Sequence, residues 1–583
     1  MAGAPLPSPS PLESRRGAQA PEGGHEVDRT GHSRLVGTWV ALCVLCGLLF
    51  FLRLGSYEFL SPDEPRFALI SHQMIQDGRI IVPHLQGKVY SNKPPLYLWL
   101  VFLFSLPAGQ VTEWSARLPS ALAATGCVLL TFHLGRRFLG TGPGWAGALI
   151  LMTSGHFLMR SRWASTDMTL AFFFTLSMVF LLHALHGGSP GAVQRGAGRW
   201  FFVAMALATL TKGPVGLALP LGILVLHLVA ERRARDLLQV PWFTGLGTYL
   251  LLVCPWYILY GLQAGGERFS TLVIRENLTR YLHAWNNVQP FYFYLSRFPL
   301  SFLPWSAFLP PVFLSLLPAV LVSRCRLPRE NGAGLRLLFL WFLSLFLFFS
   351  TSSGKRTVYL LPLFPAAALL TGWFFTHGWR KQGRGLLLWA RGGALALALL
   401  FLAGGLAGPG LAARSYEKAW QPALGVGLVL ALSSLPLAYT GWRLRMKGIL
   451  GSAAAAIVLA AVLADLQVLP LLDGYQNVGT FSRQIRARVP PGARFATARK
   501  KRDALLFYTG LSGPEIENDA DLSRFLASPG PAYCVLPEPD WVRPAGQGKV
   551  SGSILLRAPV SHYNYVLVSN EVNHAPGSST NQP

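Results

Sequence analysis

Apolar residues in this chain gather into long unbroken runs rather than into one-sided stripes. Most runs are about 20 residues long, the length a helix rising 1.5 Å per residue needs to cross ~30 Å of hydrocarbon. They predict thirteen transmembrane helices, near residues 35–54, 117–135, 144–159, 168–186, 200–211, 214–230, 243–262, 299–322, 335–350, 357–376, 386–407, 420–441 and 449–470. The apolar stretch Leu96–Gly109 is too short to span and is expected to be re-entrant or interfacial.

The pattern changes after residue 470. An amphipathic stretch at Phe481–Arg488, a turn at Pro490-Pro491-Gly492 and strand-like runs at Ala532–Leu536 and Asn564–Val568 predict a small mixed α/β domain over residues 471–572. Residues 1–33, rich in Pro, Gly and Ser, are expected to form a disordered cytoplasmic tail rather than a cleavable signal, with 573–583 a second tail. The membrane domain then covers residues 34–470, with a long first external loop at 56–116.

Composition agrees with the pattern. The 583 residues are 51% hydrophobic and 13% charged, which excludes a soluble enzyme. The formal charge of +25 does not imply nucleic acid, because the basic residues cluster between apolar runs, where the positive-inside bias and membrane lipid headgroups account for them. Six cysteines show neither metal-ligand spacing nor a disulfide framework.

Charge also orients the chain. With Leu96–Gly109 not crossing, the loops carrying Arg136-Arg137, Arg195 to Arg199, Arg232-Arg233-Arg235, Arg324 to Arg329, Arg380 to Arg384 and Arg443 to Lys447 all fall on the cytoplasmic side. A cytoplasmic N-terminus and thirteen spans then put the C-terminal domain outside.

The same threading sends a set of polar residues outward: Asp63, Glu64 and Arg66 in the first loop, Lys93 before Pro94-Pro95, Asp167, Lys212, Arg275-Glu276-Asn277 with Arg280, and Lys355-Arg356. Outer basic residues run against the positive-inside bias. An anionic ligand such as a phosphate would account for Lys93, Lys212, Arg275, Lys355 and Arg356, and so would ordinary headgroup contact. Asp63 and Glu64 lie where partial desolvation suits a general base, although Asp63 and Asp167 also stand at helix N-cap positions. His72, His84 and His283 are candidate ligands of a divalent metal ion or plain interfacial histidines.

Two stretches carry a resemblance. Ser61-Pro62-Asp63-Glu64-Pro65-Arg66-Phe67-Ala68, followed by Gly87-Lys88-Val89-Tyr90-Ser91-Asn92-Lys93-Pro94-Pro95-Leu96-Tyr97-Leu98-Trp99, resembles the first external loop of the C-type (GT-C) integral-membrane glycosyltransferases, in the bacterial branch of 4-amino-4-deoxy-L-arabinose transferases and protein O-mannosyltransferases. Glu113 to Arg117, Arg162 with Asp167, Thr211 to Pro214, Arg275 to Asn277 with Arg280, Pro304-Trp305, and Ser353 to Arg356 with Tyr359 follow in the family's order.

The resemblance implies an all-α polytopic membrane domain with a small extracytoplasmic α/β domain, in a bacterial inner membrane. It implies transfer of a sugar from a polyprenyl-phosphate (undecaprenyl-phosphate) carrier to a lipid, glycan or protein acceptor. By it Asp63, with Glu64 beside it, and Asp167 are the catalytic carboxylates. Lys93 and Arg275, joined by Lys355 and Arg356, hold the carrier phosphate, with Arg66, Tyr90, Lys212, Asn277, Arg280 and Tyr359 around them. Arabinose transferases of this kind carry an acidic residue of a metal site just before the Lys-Pro-Pro, where this chain has Asn92, so no ligand set for a metal ion is assigned.

No glycine-rich phosphate loop is present, which points to a donor already in the membrane. Direct displacement would invert the anomeric centre, since no second carboxylate is placed as a covalent nucleophile. The competing reading, a transporter or lipid-linked sugar flippase, predicts polar groups at mid-membrane shared between both faces. The outward concentration of carboxylates favours an enzyme.

Overall fold

The computed structural model describes residues 24–60, 62–186, 193–321, 332–381, 383–498 and 501–571. Ser61, the basic loop at 324–329, most of the expected N-terminal tail and the expected tail at 573–583 lie outside the described residues. The chain divides into two units, 1–45 and 46–583. The first unit contributes a helix that already begins at Gly24, inside the stretch expected to be disordered.

Among the described residues nine helices are long and apolar enough to cross a membrane, or ten if the bent pair Phe293–Ser301 and Trp305–Leu317 is one span. The bent pair corresponds to the expected span at 299–322. The other three expected spans are shorter helices: Thr141–Met152, Arg195–Lys212 and Val215–Ala230. Sequence hydropathy counts apolar residues, whereas the folded chain breaks or shortens helices wherever neighbours satisfy the freed backbone groups. The run at 144–159 breaks at Thr153-Ser154. There Trp305 donates its indole N–H to Thr153 Oγ1 at 3.0 Å, and Gly155 N–H donates to the Leu303 carbonyl at 2.8 Å.

Length does not stop these shorter helices from sharing the layer. The helix Thr166–His186 holds Asp167 against Lys212 at one end and His186 against His227, 3.2 Å apart, at the other. These two ends are about 28 Å apart along the helix. The hairpin Arg195–Lys212 and Val215–Ala230 therefore runs between the same two levels. Small residues let neighbouring helices approach closely: a Cβ on Gly147 or Gly372 would strike the facing helix.

The first loop folds into structure of its own. Helix Asp63–Asp77 ends at Gly78 in the left-handed conformation, with φ +67°. A two-residue turn, Gln86-Gly87, has positive φ at both positions and closes the hairpin of β1 (His84–Leu85) and β2 (Lys88–Val89). The stretch expected to be re-entrant or interfacial is a ten-residue helix, Leu96–Ser105, continued by a 3₁₀ turn. Thr112 and Ser115 then form a capping box that starts the long helix Glu113–Phe138.

The C-terminal region is a five-stranded sheet of β3 (Arg494–Ala498), β4 (Glu515–Ile516), β5 (Ala532–Pro537), β6 (Ser553–Val560) and β7 (Tyr563–Ser569), in the order β4-β3-β5-β7-β6. The β4-β3-β5 part is parallel and β5-β7-β6 antiparallel. The helix Val478–Arg488 takes up the predicted amphipathic stretch, and β5 and β7 the predicted strand runs.

This sheet does not stand apart from the first loop. Leu69 of the first-loop helix is buried in the same core as Phe481, Leu505, Val535 and Leu567, and Phe507 and Tyr508 pack into the core of the first loop. Tyr508 donates to Glu113 Oε1 at 2.8 Å and accepts from Phe59 N–H at 3.0 Å, while Glu58 accepts from Val478 and Gly479 N–H.

The centre of this joint is an ion pair with no solvent exposure, Arg117 Nε to Glu64 Oε1 at 2.9 Å. Arg117 also donates to the carbonyls of Leu54, Tyr57 and Glu58 and lies 4.0 Å from the centre of the Tyr57 ring. Deleting one partner of such a pair strands the other charge, at about 3–5 kcal/mol. Glu64→Ala is therefore expected to lower the thermal unfolding temperature of the detergent-solubilised protein sharply, and Glu64→Gln, which keeps a side-chain acceptor for the Leu60 and Ala164 N–H groups, to lower it less.

Candidate active site

Helix ends from distant parts of the chain meet at one level. Asp63 opens the first-loop helix, Asp167 stands in the first turn of Thr166–His186, and Lys212 closes Arg195–Lys212. Gly213 follows with φ +89°, and a Cβ there would come within 2.9 Å of Asn277 Oδ1, so the turn that presents Lys212 requires glycine. Arg356 and Tyr359 lie where the loop 352–356 enters the next helix.

Together they line a cavity of about 340 Å³ that also receives Arg66, Tyr90, Asn92, Lys93, Arg280 and Asn287. Its carboxylates are held by cations from elsewhere in the sequence. Asp63 Oδ2 accepts from Arg356 Nη2 at 2.7 Å and Oδ1 from Arg66 Nη1 at 3.5 Å. Asp167 Oδ1 accepts from Lys212, and its Oδ2 from Ser165 Oγ at 3.0 Å. The Lys212 ammonium lies over the Tyr359 ring, 4.4 Å from its centre.

Lys93 differs. Among the described residues it forms no hydrogen bond or salt bridge, although it lines the cavity beside Lys212 and Arg280. Burial first, and then the like charge of Lys212, push its ammonium down to about 8.

A second, largely apolar cavity of about 400 Å³ adjoins the first and is lined by Leu170, Val215, Ala218, Phe348 and Phe349. The two share Lys93, Lys212, Arg280 and Tyr359, so the boundary between the polar and apolar volumes is a row of cations and a phenol. This arrangement suits an amphiphile whose anionic group stops at that boundary.

Four expected site residues are placed otherwise. Glu64 is fully buried, takes hydrogen bonds from Arg117, Leu60 N–H and Ala164 N–H, and is structural, because burial demands a complete set of donors. Arg275 is exposed and lies against the Trp285 ring, 5.1 Å from its centre, outside the polar cavity. Lys355 turns into the protein, donating to the carbonyls of Gln289 and Ser352. Asn277 donates to the carbonyls of Leu272 and Val273 and borders only the apolar cavity. The remaining candidates, Asp63, Asp167, Lys93, Arg356, Arg66, Tyr90, Lys212, Arg280 and Tyr359, all line the polar cavity.

Sequence reasoning missed three residues there. Ser165 bridges Arg160 and Asp167, Asn286 accepts from Arg280 at 3.0 Å, and Asn287 closes the far wall. Arg162, which stands close to Asp167 in sequence, instead pairs with Asp465, and spacing alone carried no signal of that.

No group of three or more His, Cys, Asp or Glu side chains is poised to hold a metal ion among the described residues. His72 faces Gln76 and His84 faces the Val82 carbonyl, while Asp63 and Asp167 are already covered by cations.

The sequence profile of the dolichyl-phosphate-mannose-protein mannosyltransferase family matches residues 92–259. An uncharacterized Aquifex aeolicus protein is 31% identical over 61% of this chain and 67% of its own length. An undecaprenyl phosphate-alpha-4-amino-4-deoxy-L-arabinose arabinosyl transferase of Pseudomonas aeruginosa is 32% identical over 63% of this chain and 64% of its own, so the chain spans just under two thirds of that relative. The crystal structure of ArnT from Cupriavidus metallidurans bound to undecaprenyl phosphate superimposes with a TM-score of 0.75 at 22% identity, covering 92% of this chain and 99% of the other. That likeness establishes the fold.

The shift of Lys93 sets the sign of a pH dependence. Its charge is present below about 8 and lost above it, whereas a phosphate monoester loses its second proton with a pKa of about 6 and is mostly dianionic from about pH 7 upward. Affinity for a long-chain alkyl monophosphate is thus expected to fall as pH rises from 7 to 9. Lys93→Arg flattens that profile, which titration calorimetry in detergent would read.

Proposed function

We propose that this chain, which belongs to the C-type integral-membrane glycosyltransferase superfamily and to its arabinosyl transferase-like branch, transfers a sugar from a polyprenyl-phosphate carrier to an acceptor in the polar cavity. The observation that carries the reading is the seam of Lys93, Lys212, Arg280 and Tyr359 between an apolar and a polar volume. A carrier's isoprenoid chain fits the apolar side, its phosphate the seam and its sugar the polar side.

The chemistry follows from charge. The acceptor oxygen attacks the anomeric carbon, the bond from that carbon to the phosphate oxygen breaks, and the carrier phosphate departs with the electron pair. Five cations line the cavity, of which Arg66, Arg356, Lys212 and Arg280 are ion-paired with Asp503, Asp63, Asp167 and Glu276, so the uncompensated charge that stabilises the departing phosphate is that of Lys93. Lys93, with no protein partner among the described residues, is the cation freest to meet it.

Asp63, held between Arg66 and Arg356, orients the acceptor hydroxyl and takes its proton. Asp167 fixes Lys212 at the seam and positions the acceptor. One attack from the face opposite the phosphate inverts the anomeric centre. No step is routed through a metal ion.

The site is assigned to the extracytoplasmic face. The basic pairs Arg136-Arg137 and Arg232-Arg233 close helices whose other ends approach the cavity, and cytoplasmic loops carry the excess of Arg and Lys. The membrane is a bacterial inner membrane, the setting of an undecaprenyl-phosphate donor.

The test is transfer from radiolabelled polyprenyl-phosphate sugars by the purified protein in lipid. Asp63→Asn and Lys93→Ala are each expected to reduce turnover by about 10²–10⁴-fold, while wild type releases free carrier phosphate and yields product of inverted anomeric configuration by NMR. Undiminished transfer in both variants removes the site assignment, and a retained configuration removes the single displacement.

A further inference from the structure

Two larger cavities open beside the polar pocket, between the first loop and the C-terminal sheet. One, of about 800 Å³, lies between the β1-β2 hairpin and the segment 512–517; the other, of about 710 Å³, lies between the start of the first-loop helix and the Arg502–Thr509 helix with Tyr563. They share a wall of Arg66, Leu85, Arg502, Glu515 and Glu517. Arg66 also lines the polar pocket, so three volumes meet at a single guanidinium. That group is held by Asp63 on one side and by Asp503 of the C-terminal region, at 2.8 Å, on the other.

The walls of the two clefts are chemically unlike both neighbouring cavities. Arg66, Lys88, Lys501 and Arg502 alternate with Asp503, Glu515 and Glu517, so cations and carboxylates nearly balance. Arg502 donates through Nη2 to the Gly513 carbonyl at 2.8 Å, which leaves its buried Nε without a partner among the described residues. Tyr563, His562 and Phe59 add ring faces on one side.

An anionic acceptor would call for an excess of cations, and an acyl chain for apolar walls. Interspersed donors and acceptors with flanking aromatic rings match a polyhydroxyl ligand, whose every hydroxyl both donates and accepts. Volumes of 700–800 Å³ are in the range that encloses a ligand of several rings.

We infer that the acceptor is an oligosaccharide, bound in the clefts between the first loop and the C-terminal sheet, with one hydroxyl presented past Arg66 to Asp63. The inference rests on the glycosyltransferase reading and names its acceptor class. Arg502, Glu515 and Glu517 bind the sugar hydroxyls, and Tyr563 supports a ring. The clefts are preformed, since Tyr508 and Glu58 tie the C-terminal region to the first loop and to the helix beginning at Glu113.

The test uses the full chain in nanodiscs with radiolabelled polyprenyl-phosphate sugars and three probes from the producing cells: soluble oligosaccharides released from the envelope by mild acid, intact glycolipids, and Ser/Thr-containing peptides. Soluble oligosaccharides are expected to accept sugar. Glu517→Gln and Arg502→Ala are expected to raise the KM for them at least tenfold, with the KM for donor within twofold of wild type. Transfer confined to peptides or to intact glycolipids, or oligosaccharide KM values unchanged in both variants, overturns the proposal.

Saturation-transfer NMR of the oligosaccharides, without donor, separates the two claims. If no donor releases carrier phosphate, the glycosyltransferase reading falls, yet oligosaccharide binding that weakens tenfold in Glu517→Gln and in Tyr563→Ala keeps the clefts as a glycan site. Absence of binding to wild type removes it.

Discussion

The geometry of the whole site hangs on one carboxylate that touches no cavity. Glu64 lies between two segments that must keep a fixed separation, and its Oε1 accepts both from Arg117 and from the N–H of Ala164. Ala164 leads within three residues to Asp167, and Glu64 itself follows Asp63. A charge buried at this depth persists only if its partners are complete, so every atom around it is constrained. Arg117 extends the constraint to the carbonyls of Leu54, Tyr57 and Glu58. The spacing of Asp63 and Asp167 across the cavity follows from that arrangement.

Once the two carboxylates are placed, charge allocation decides what the pocket can do. Each is matched by a cation from a distant part of the chain, Arg356 for Asp63 and Lys212 for Asp167. Pairing of that kind neutralises the acids without using up the positive potential, because Lys93 remains along the apolar edge while Arg280 is matched there by Glu276. The consequence is a directional site: apolar on the side where an isoprenoid chain fits, cationic at the boundary, mixed and hydrogen-bonding beyond it. The proposed amphiphilic donor suits this order, since desolvating a phosphate is tolerable only where several donors converge.

The C-terminal region packs against the first loop that carries part of this site rather than hanging beside it. Leu69 enters its core, Phe507 and Tyr508 enter the core of the first loop, and Asp503 reaches Arg66. A shared core removes the freedom of two separate bodies to drift apart, so the clefts between them keep their shape.

Hydropathy by itself determined the polytopic architecture, the short Leu96–Ser105 helix and the change to an α/β pattern after residue 470, because each depends on the period and length of apolar residues along a contiguous stretch. The motif around Asp63 and Lys93 likewise identified the pocket's first wall from local sequence. What tertiary structure alone decided was partnership. Asp167 pairs with Lys212, 45 residues away, rather than with the nearby Arg162, which goes to Asp465. Glu64, beside Asp63 in the same motif, turns into the protein, since adjacent residues on a helix lie about 100° apart and only one of them points into the cavity. Lys355 and Arg356 divide in the same manner, one capping carbonyls and one holding Asp63. A sequence records which charges are present near a membrane surface; which of them meet depends on the packing of helices distant in the chain, and that packing assigned the roles.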